Sequence, residues 1–431
     1  MKRAFAFAMI LFALPVAGGR LPVSDPILDG LVRDAISNNF DLRAAAARVR
    51  EARALRGITA ARGRPQVAGD ATVLTFERSI AVPGFGDRRQ DLYDVGFDAS
   101  WELDLFGGIK HDREAALAQV QATDEERRDV EISLMAEVAR NYVDLRGAQK
   151  RLDVLDARIQ TLRETLDIVR ARQQGGLTND LDVARSEALL EDTLAARPSL
   201  EYAATSSMHR LAVLTGRKPQ ELVEQLSTHA SIPIAQAEIA SGVPLDIIER
   251  RPDIRRAERQ LAAATARIGV ARADLYPRVA LLGGFGRRSD DTSDLPRSIA
   301  GYWSFGPALR WPLLTGGRVH AQIGAAKARR DQAEASFQQT ILRAVEDVEN
   351  ARASYGRDQR EKDRLAAAVA AEARAVDLAD SRYRAGLDSF LAVLDAQRTL
   401  RDGEDRFAAA ETHVALSAIT LYKALGGEAT Q

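Results

Sequence analysis

The sequence contains no cysteine, and this absence removes several kinds of chemistry at once. Without thiols the chain can form no disulfide and can offer no cysteine nucleophile, iron–sulfur ligand or cysteine zinc site. Aromatic residues make up only 6% of the 431 residues, which favours helical rods over a large mixed core. The charges nearly cancel, with 60 Lys and Arg against 61 Asp and Glu. A chain with this balance is not expected to bind nucleic acid.

Long apolar runs and the motifs of metal or nucleotide sites are also missing. The mean hydropathy is −0.22, and no segment after the N-terminus approaches the about 20 apolar residues that a membrane-spanning helix needs. The five histidines are scattered without metal-ligand spacing. The chain has no phosphate-binding loop and no Gly-x-Ser-x-Gly elbow. We therefore predict no catalytic residue, no metal site and no cofactor, and a passive protein in place of an enzyme.

The N-terminus has the residue order of a secretory signal. Lys2-Arg3 precedes an apolar run over residues 4–14, and the small residues Val16-Ala17-Gly18 follow. We therefore predict a signal peptide over residues 1–18. The small residues resemble the stretch that precedes the lipidated cysteine of a bacterial lipoprotein, but Gly19 stands where that cysteine would be. Two alternatives stay open: an ordinary cleaved signal, or a lipid site that has been lost or replaced.

Landmarks recur at a spacing of about 210 residues, which indicates an internal duplication. Trp101 recurs as Trp311, and Gly176-Leu177 recurs as Gly386-Leu387. We predict a first repeat over 19–217, a connector over 218–242, a second repeat over 243–427 and a C-terminal tail over 428–431. Each repeat is expected to contain a short helix, two strands, a very long helix, a turn and a long helix. The short helices are expected over about 27–62 and 245–273.

Proline and glycine are nearly absent from long stretches of the chain, which predicts very long helices. From Asp112 to Gln174 the only glycine is Gly147, and this span would form a rod of roughly 95 Å. Apolar residues repeat every seven positions from Leu145 to Leu166, and again from Val393 to Leu421. A stripe this long cannot be buried within a compact domain. We therefore expect rods that pack side by side, as in a coiled coil.

Two segments alternate apolar and polar residues over the length of a strand. The alternation extends from Tyr93 to Leu105 in the first repeat and from Trp303 to Leu313 in the second. Weaker strands are expected before them, over about 66–77 and 278–287. The aromatic residues of the alternating strands are candidates for a membrane-facing surface: Tyr93, Phe97, Trp101, Trp303, Phe305 and Trp311.

The strands allow two interpretations. In one, they form a soluble sheet in a periplasmic coiled-coil scaffold. In the other, they belong to a transmembrane barrel with apolar residues toward lipid and polar residues toward a water-filled lumen. The export signal favours the barrel. Four strands cannot close a spanning barrel, which needs about eight, so several chains would have to share one, and three chains would supply twelve strands.

The order of these elements and several motifs resemble the TolC-like outer-membrane factors, the exit ducts of tripartite efflux pumps and of type I secretion. The motifs are Arg-Pro-Asp-Ile at 251–254, Leu-Phe-Gly-Gly at 105–108, Leu-Thr-Gly-Gly at 314–317, Tyr-Arg-Ala-Gly-Leu at 383–387 and Phe-Leu-Ala-Val-Leu-Asp-Ala at 390–396. The first of these motifs resembles the lipoprotein branch that serves resistance–nodulation–division pumps. The resemblance covers residues 26–427.

This resemblance implies a mainly α fold with a β-barrel part. A homotrimer would place a twelve-stranded barrel in the lipid of the bacterial outer membrane and a helical tunnel in the periplasm. It would be a passive exit duct for small molecules such as drugs and toxic compounds. Its partners would be a periplasmic adaptor and an inner-membrane pump, of the resistance–nodulation–division type. A type I protein-secretion duct and the periplasmic scaffold are the alternatives, and a secreted enzyme is disfavoured by the missing motifs.

The resemblance also implies roles for residues at the two helical turns. The adaptor would bind Gly175, Gly176, Leu177, Ala385, Gly386 and Leu387. A periplasmic gate would include Asp182, Arg185, Arg382, Tyr383, Asp388 and Asp395. Two positions depart from the family pattern, since Ala392 replaces an acidic ring residue and Asp388 replaces a basic gate partner. Arg185, Arg382 or Arg384 would have to supply the basic partner.

Overall fold

The computed structural model describes residues 21–23, 25–77, 79, 81, 89–233 and 250–427. The predicted signal peptide, Gly19, part of the predicted connector and the predicted tail lie outside these residues. The described residues divide into two compact units. Unit 1 takes its residues from 21–43, 128–251 and 343–427, and unit 2 takes its residues from 44–127 and 252–342. Each unit therefore draws on both of the predicted repeats.

The helices and strands follow the predicted order. The first half contains α1 (Pro26–Asn38), α2 (Phe40–Ala61), β1 (Gln66–Glu77), β2 (Arg89–Leu103), α3 (Gly108–Gln174), α4 (Asp180–Ala195) and α5 (Arg197–Leu214). A 3₁₀ turn at Pro219–Leu222 leads into the single turn α6 (Val223–Leu226). The second half contains α7 (Pro252–Ala273), β3 (Arg278–Ser289), β4 (Gly301–Arg310), α8 (Arg318–Arg384) and α9 (Phe390–Ala424), with a 3₁₀ turn at Ser298–Ala300.

Four helices end at a glycine in the left-handed region. Gly176, Gly216, Gly386 and Gly426 have φ values of 74°, 73°, 72° and 76°. At the end of α3 the N–H of Leu177 donates to the carbonyl of Arg172 at 2.8 Å, and the N–H of Gly176 donates to that of Gln173 at 3.0 Å. This is a Schellman motif, which satisfies the last carbonyls of a helix and reverses the chain.

The long heptad rows are buried, as the sequence predicts, except that Phe407 in the second row is half-buried. Leu152, Leu155, Ile159, Leu162 and Leu166 of α3 form a cluster with Leu190 and Leu200. A larger core in unit 1 joins residues of α1, α3, α5 and α9 with the turn at 219–226, among them Leu28, Tyr142, Leu145, Leu211, Leu222 and Ile419. In the part of the chain that the structure describes, no helix is both long enough and apolar enough to cross a bilayer.

Two predicted helices are interrupted. The helix expected over 27–62 is in fact two, because Asn39 separates α1 from α2 and its side-chain oxygen accepts the N–H of Leu42 at 3.0 Å. An asparagine in this position is a strong N-cap. The helix after the first turn is also expected to be continuous, but it ends at Ala195 and α5 begins at Arg197. Pro198 has no amide hydrogen to donate to an earlier carbonyl, so the break occurs at this point.

The alternating strands end earlier than predicted. β2 stops at Leu103 because Asp104 turns to cap α3: its carboxylate accepts the N–H groups of Ile109 and Lys110 at 3.0 and 2.7 Å. β4 stops at Arg310, so Trp311 lies immediately after the strand and not within it. Proline at position 312 cannot donate to a strand neighbour.

The four strands form one antiparallel sheet in the order β1-β2-β3-β4, and β1 and β4 are its edges. The pairing of β2 with β3 joins the strands of the two halves and places Gly96 opposite Gly286. A Cβ atom on Gly286 would lie 2.8 Å from the Cα of Gly96. The two backbones can approach this closely because both residues are glycine.

Candidate functional site

The sheet has one apolar face. Residues paired across antiparallel strands lie on the same face, and the register places the predicted aromatics Tyr93, Phe97, Trp101, Trp303 and Phe305 on one face together with Val67, Val73, Val95, Phe285 and Leu309. Phe97, Trp303 and Phe305 are 60%, 78% and 73% exposed in the chain. An exposed apolar surface of this kind is an interaction surface.

The opposite face of the sheet is polar and contains a paired charge cluster. Arg288 Nε donates to Asp94 Oδ2 at 2.8 Å, and the hydroxyl of Tyr302 donates to Asp94 Oδ1 at 3.0 Å. The guanidinium of Arg288 also lies over the Tyr302 ring, 5.0 Å from its centroid. Gly96 leaves room for this ring, since a Cβ there would lie 2.9 Å from the Tyr302 hydroxyl. The polar face therefore holds its central charges in a fixed network.

A tryptophan fixes the end of the alternating strand in each half. Trp101 Nε1 donates to the carbonyl of Gly63 at 3.3 Å. Trp311 Nε1 donates to the carbonyl of Leu275 at 3.2 Å, although Trp311 lies beyond β4. Both carbonyls belong to the turn that precedes the first strand of the same half. The two junctions between sheet and helices are therefore built with the same hydrogen bond.

The two helical turns predicted to bind an adaptor have the same backbone. The N–H of Leu177 donates to Arg172 at 2.8 Å, and the N–H of Leu387 donates to Arg382 at 2.9 Å. The side chains of Leu177 and Leu387 are 72% and 68% exposed. A Cβ atom on Gly176 or Gly386 would meet nothing within 4 Å, so these glycines are required by their positive φ and not by lack of space. Each turn thus presents one exposed leucine.

Tyr383, a predicted gate residue, lies in a contact between the two turns. The guanidinium of Arg172, at the end of α3, lies 4.4 Å from the centroid of the Tyr383 ring. The ring of Phe390 packs against the same tyrosine in a tilted arrangement, with the two ring centroids 5.2 Å apart. Val169, Val393 and Leu394 form the buried base of this contact. The end of α3 is therefore joined to α8 and α9 through one aromatic residue.

The charged residues of the predicted gate are only partly brought together in one chain. Arg382 Nε donates to Asp388 Oδ2 at 2.5 Å, and this hydrogen bond raises the pKa of Arg382. Asp182 instead accepts the hydroxyl of Thr178 at 2.5 Å. Arg185 and Asp395 are exposed, and the described residues provide no ion-pair partner for either of them. One predicted pair is present, and the remaining charges are separate.

Arg172 is a contact residue that no motif of the sequence indicates. It occupies the position in the first turn that Arg382 occupies in the second, at a spacing of about 210 residues. Asp388 neutralises Arg382, whereas the equivalent first-turn residue is Thr178, which cannot form an ion pair. Arg172 therefore remains available to stack on Tyr383. Comparing the two turns position by position would have singled out this arginine.

A second polar cluster lies between α3, α8 and α9. Arg158 donates to the carbonyl of Gln397, and Glu372 lies against Gly403, which has no side chain to exclude it. Burial raises the pKa of Glu404, although Arg158 partly offsets the effect; a nearby Glu372 raises it further. Burial also lowers the pKa of Arg158. Among the described residues, no group of three or more acidic or histidine side chains is arranged to hold a metal ion.

The comparisons with known proteins agree on one family. The model of the outer membrane efflux protein family matches residues 31–217 and 243–427. The chain belongs to this family. The solvent efflux pump outer membrane protein SrpC of Pseudomonas putida is 34% identical over 415 residues, which cover 94% of this chain and 86% of SrpC. The outer membrane protein OprJ of Pseudomonas aeruginosa is 34% identical over 408 residues, 94% of this chain and 85% of OprJ.

A solved structure gives the same answer for the fold. The outer-membrane channel OprN is 37% identical, with a TM-score of 0.89 over 95% of this chain and 93% of that chain. The family, the mainly α fold with its β-barrel part and the outer-membrane location predicted from the sequence are confirmed. The chain is an outer-membrane exit duct of efflux, and its family consists of channel proteins and not of enzymes.

Proposed function

We propose that three copies of the chain form one duct, with a twelve-stranded barrel in the outer membrane. The observation that carries this proposal is the four-stranded sheet, which has one apolar face and the two edge strands β1 and β4. An unpaired strand edge is not tolerated in lipid, and spanning barrels begin at about eight strands. Pairing of β1 in one copy with β4 in the next removes every edge when three copies close the ring.

The apolar face of the sheet is proposed to contact the outer-membrane lipid. Tyr93, Phe97, Trp303 and Phe305 share this face. Tyrosine and tryptophan favour the interface between lipid and water. Trp101 and Trp311 both lie at the end of the sheet next to the helices, where such an interface would be.

The exposed turns are proposed to bind a periplasmic adaptor, which connects the duct to an inner-membrane pump of the resistance–nodulation–division type. The contact residues would be Gly175, Gly176, Leu177, Ala385, Gly386 and Leu387. The exposed leucines support this proposal, since each offers an apolar side chain that the described chain does not cover. The cargo is proposed to be small molecules, because the relative SrpC is named for the efflux of solvents. This name favours efflux over type I protein secretion.

The same end of the helices is proposed to act as the gate. Within one chain Arg382 and Asp388 neutralise each other, and Arg172 holds Tyr383 against Phe390. Asp182, Arg185 and Asp395 are proposed to pair between copies, because they have no ion-pair partner among the described residues of one copy. The gate would then be closed by contacts between copies that the pump complex releases.

The absence of native cysteine makes the barrel directly testable by cross-linking. Each variant would carry two cysteines in the same chain. Ala71→Cys in β1 would be combined with one of three changes in β4: Trp303→Cys, Phe305→Cys or Leu309→Cys. Oxidation in isolated outer membranes should give a ladder that ends at the trimer for at least one pair. The control replaces Ala71→Cys with Ala99→Cys in the central strand β2, which should give no ladder. A chain that stays monomeric with every pair, or is recovered in the soluble periplasmic fraction, would contradict the proposal.

A further inference from the structure

A groove of about 740 Å³ opens at the junction of sheet and helices in the first half of the chain. It is formed within unit 2 by the end of α2, the end of β2 and the first turns of α3. Its large apolar lining residues, named here the apolar floor, are Trp101, Leu103, Leu105, Ile109 and Leu117. Trp101 and Leu103 also belong to the apolar face of the sheet, so the floor of the groove continues the surface that faces lipid.

Four basic residues also line the groove: Arg56, Arg64, Lys110 and Arg113. Arg113 is partly engaged, since its Nη2 donates to the carbonyl of Ala60 at 2.7 Å. The side chains of the other three form no hydrogen bond or ion pair with the residues that the structure describes. These positive charges are therefore available to a ligand.

The acidic residues of the groove are mostly committed elsewhere. Both carboxylate oxygens of Asp104 accept N–H groups from the first turn of α3. Glu114 Oε2 lies 2.8 Å from Nδ1 of His111. Glu102 is the remaining acid in the lining. Since Asp104 already occupies the amides at the start of α3, an anion in the groove would be held by the basic side chains.

The second half of the chain has the same junction without the basic residues. The repeats are offset by 212 residues in the short helices and by 210 in the long ones. At these offsets Ile268, Tyr276, His320 and Ile323 stand where the first half has Arg56, Arg64, Lys110 and Arg113. Tyr276 stacks on Phe106 with ring centroids 4.8 Å apart. The indole hydrogen bond is nevertheless present in both halves. The indole hydrogen bond therefore does not depend on the basic residues, and Arg56, Arg64 and Lys110 are free for another role.

We propose that the groove binds one anionic glycerophospholipid, with its phosphate among Arg56, Arg64 and Lys110 and an acyl chain along Trp101, Leu103 and Leu105. The proposal rests on the placement of the sheet in the outer membrane. Two observations select this occupant. The unpaired cations match a phosphate, and basic pockets at a membrane surface bind anionic headgroups. The apolar floor runs directly into the lipid-facing side of the sheet, where an acyl chain would already lie.

The three tryptophans allow a test that reports on this groove alone. A variant with Trp303→Phe and Trp311→Phe keeps only Trp101, which lines the groove. The full-length protein would be reconstituted into vesicles that contain equal fractions of brominated phosphatidylglycerol or brominated phosphatidylcholine, and the quenching of Trp101 fluorescence would be compared. Phosphatidylglycerol is expected to quench Trp101 more strongly. Arg64→Gln and Lys110→Gln should each weaken this preference about fivefold, since a basic residue near an anionic surface contributes about 1 kcal/mol.

The equivalent junction provides the matched control. A variant with Trp101→Phe and Trp303→Phe keeps only Trp311, whose junction has Ile268, Tyr276 and His320 in place of Arg56, Arg64 and Lys110. Its quenching should be equal for the two lipids. Equal quenching of Trp101 by both lipids would overturn the lipid site while leaving the membrane placement intact. Quenching by neither lipid would mean that the groove lies outside the bilayer or under another protein surface, and would also overturn it. Loss of the preference on adding inorganic phosphate at constant ionic strength would assign the groove to a free anion.

Discussion

In each half of the chain, a buried side chain donates a hydrogen bond to the carbonyl at the end of the last long helix. The two donors stand at equivalent positions but are different residues. Asn39 and Arg251 are related by the repeat spacing. The amide of Asn39 donates to the carbonyl of Leu214, the last residue of α5, at 3.0 Å. Arg251 Nη1 donates to the carbonyl of Ala424, the last residue of α9, at 2.8 Å. The last carbonyls of a helix have no partner within it. Each half therefore supplies a buried donor to the equivalent carbonyl, that of the last helical residue.

The difference between the two donors lies in what else they reach. Asn39 also accepts the N–H of Leu42 and thereby begins α2. Arg251 instead extends to α8, where it donates to the carbonyl of Ala344 at 3.3 Å and to Asp347 at 3.1 Å. Both halves therefore have a helix-end carbonyl that needs a donor. Which side chain donates to it depends on the other contact that the same side chain makes. A short amide suits a cap, and a long guanidinium suits a link between three segments.

Replacing the longer donor should have the largest effect. Arg251→Ala removes the partner of two buried carbonyls and should lower the free energy of unfolding by about 3 kcal/mol, since each such group costs about 1–3 kcal/mol. The measurement is the midpoint of thermal unfolding in detergent, followed by far-UV circular dichroism. Arg255→Ala, in the same helix region, is the control and should change the midpoint little. Equal midpoints for the two variants would show that the carbonyls of Ala344 and Ala424 do not depend on Arg251.

The shorter donor should matter less. Asn39→Ala removes one helix cap and one hydrogen bond to a helix end, which together should cost about 1–2 kcal/mol. Asn39→Ser keeps an oxygen that can cap α2 but cannot reach Leu214, so its loss should fall between that of Asn39→Ala and the unaltered protein. The same thermal measurement applies. If Asn39→Ala were as costly as Arg251→Ala, the reach of the arginine to α8 would contribute nothing.

The turns provide a functional comparison between the halves. Asp182→Ala combined with Asp395→Ala should make the closed duct leakier, because it removes carboxylates that we propose to pair between copies. Single-channel conductance in planar bilayers and uptake of antibiotics by cells would both rise. Asp167→Ala, which removes an exposed carboxylate elsewhere on α3, should leave both unchanged. Unaltered conductance and uptake in the double variant would remove these residues from the gate.

The periodic features of the fold could be predicted from sequence because they are repeated signals. The heptad row from Leu145 to Leu166 and the alternation from Tyr93 extend over many residues, so single exceptions do not obscure them. The helix breaks at Asn39 and after Ala195 depend on single residues. Pro198 marks the second break, but the helical pattern on both sides of it predicts a continuous helix.

The site was predictable only where local sequence determines it. The turns at Gly176 and Gly386 follow from glycine in a left-handed position and from the repeated Gly-Leu pair. The stacking of Arg172 on Tyr383 requires the ends of α3 and α8 to be adjacent, and this is a property of the packed helices. The lipid groove could not be foreseen for the same reason, since Arg56, Arg64 and Lys110 come from different elements of the chain.

The second half has a partly buried carboxyl group, that of Glu404, which should make its stability depend on pH. Glu404 occupies the position that Leu194 occupies in the first half, and burial raises its pKa. The folded state therefore holds the proton more tightly than the unfolded state, so stability falls as pH rises from the ordinary value of 4.5 toward the raised value. Glu404→Gln should unfold at a higher temperature than the unaltered protein at neutral pH, and this gain should vanish below the ordinary pKa. Glu349→Gln, an exposed control on α8, should show no pH-dependent rise in unfolding temperature. If the rise for Glu404→Gln persisted at acidic pH, packing and not charge would be responsible.

The smallest effects should come from the junctions that the two halves build alike. Trp101→Phe and Trp311→Phe each remove one indole hydrogen bond to a turn carbonyl and retain most of the apolar ring, so each should cost about 1 kcal/mol or less. The two losses should be equal in thermal unfolding in detergent, because the distances of 3.3 and 3.2 Å are nearly the same. The double variant should show the sum, since the two bonds share no residue. A markedly larger loss for Trp101→Phe in detergent would mean that the groove around Trp101 stabilises the junction by itself, and the basic residues there would then have a structural role besides the binding of lipid.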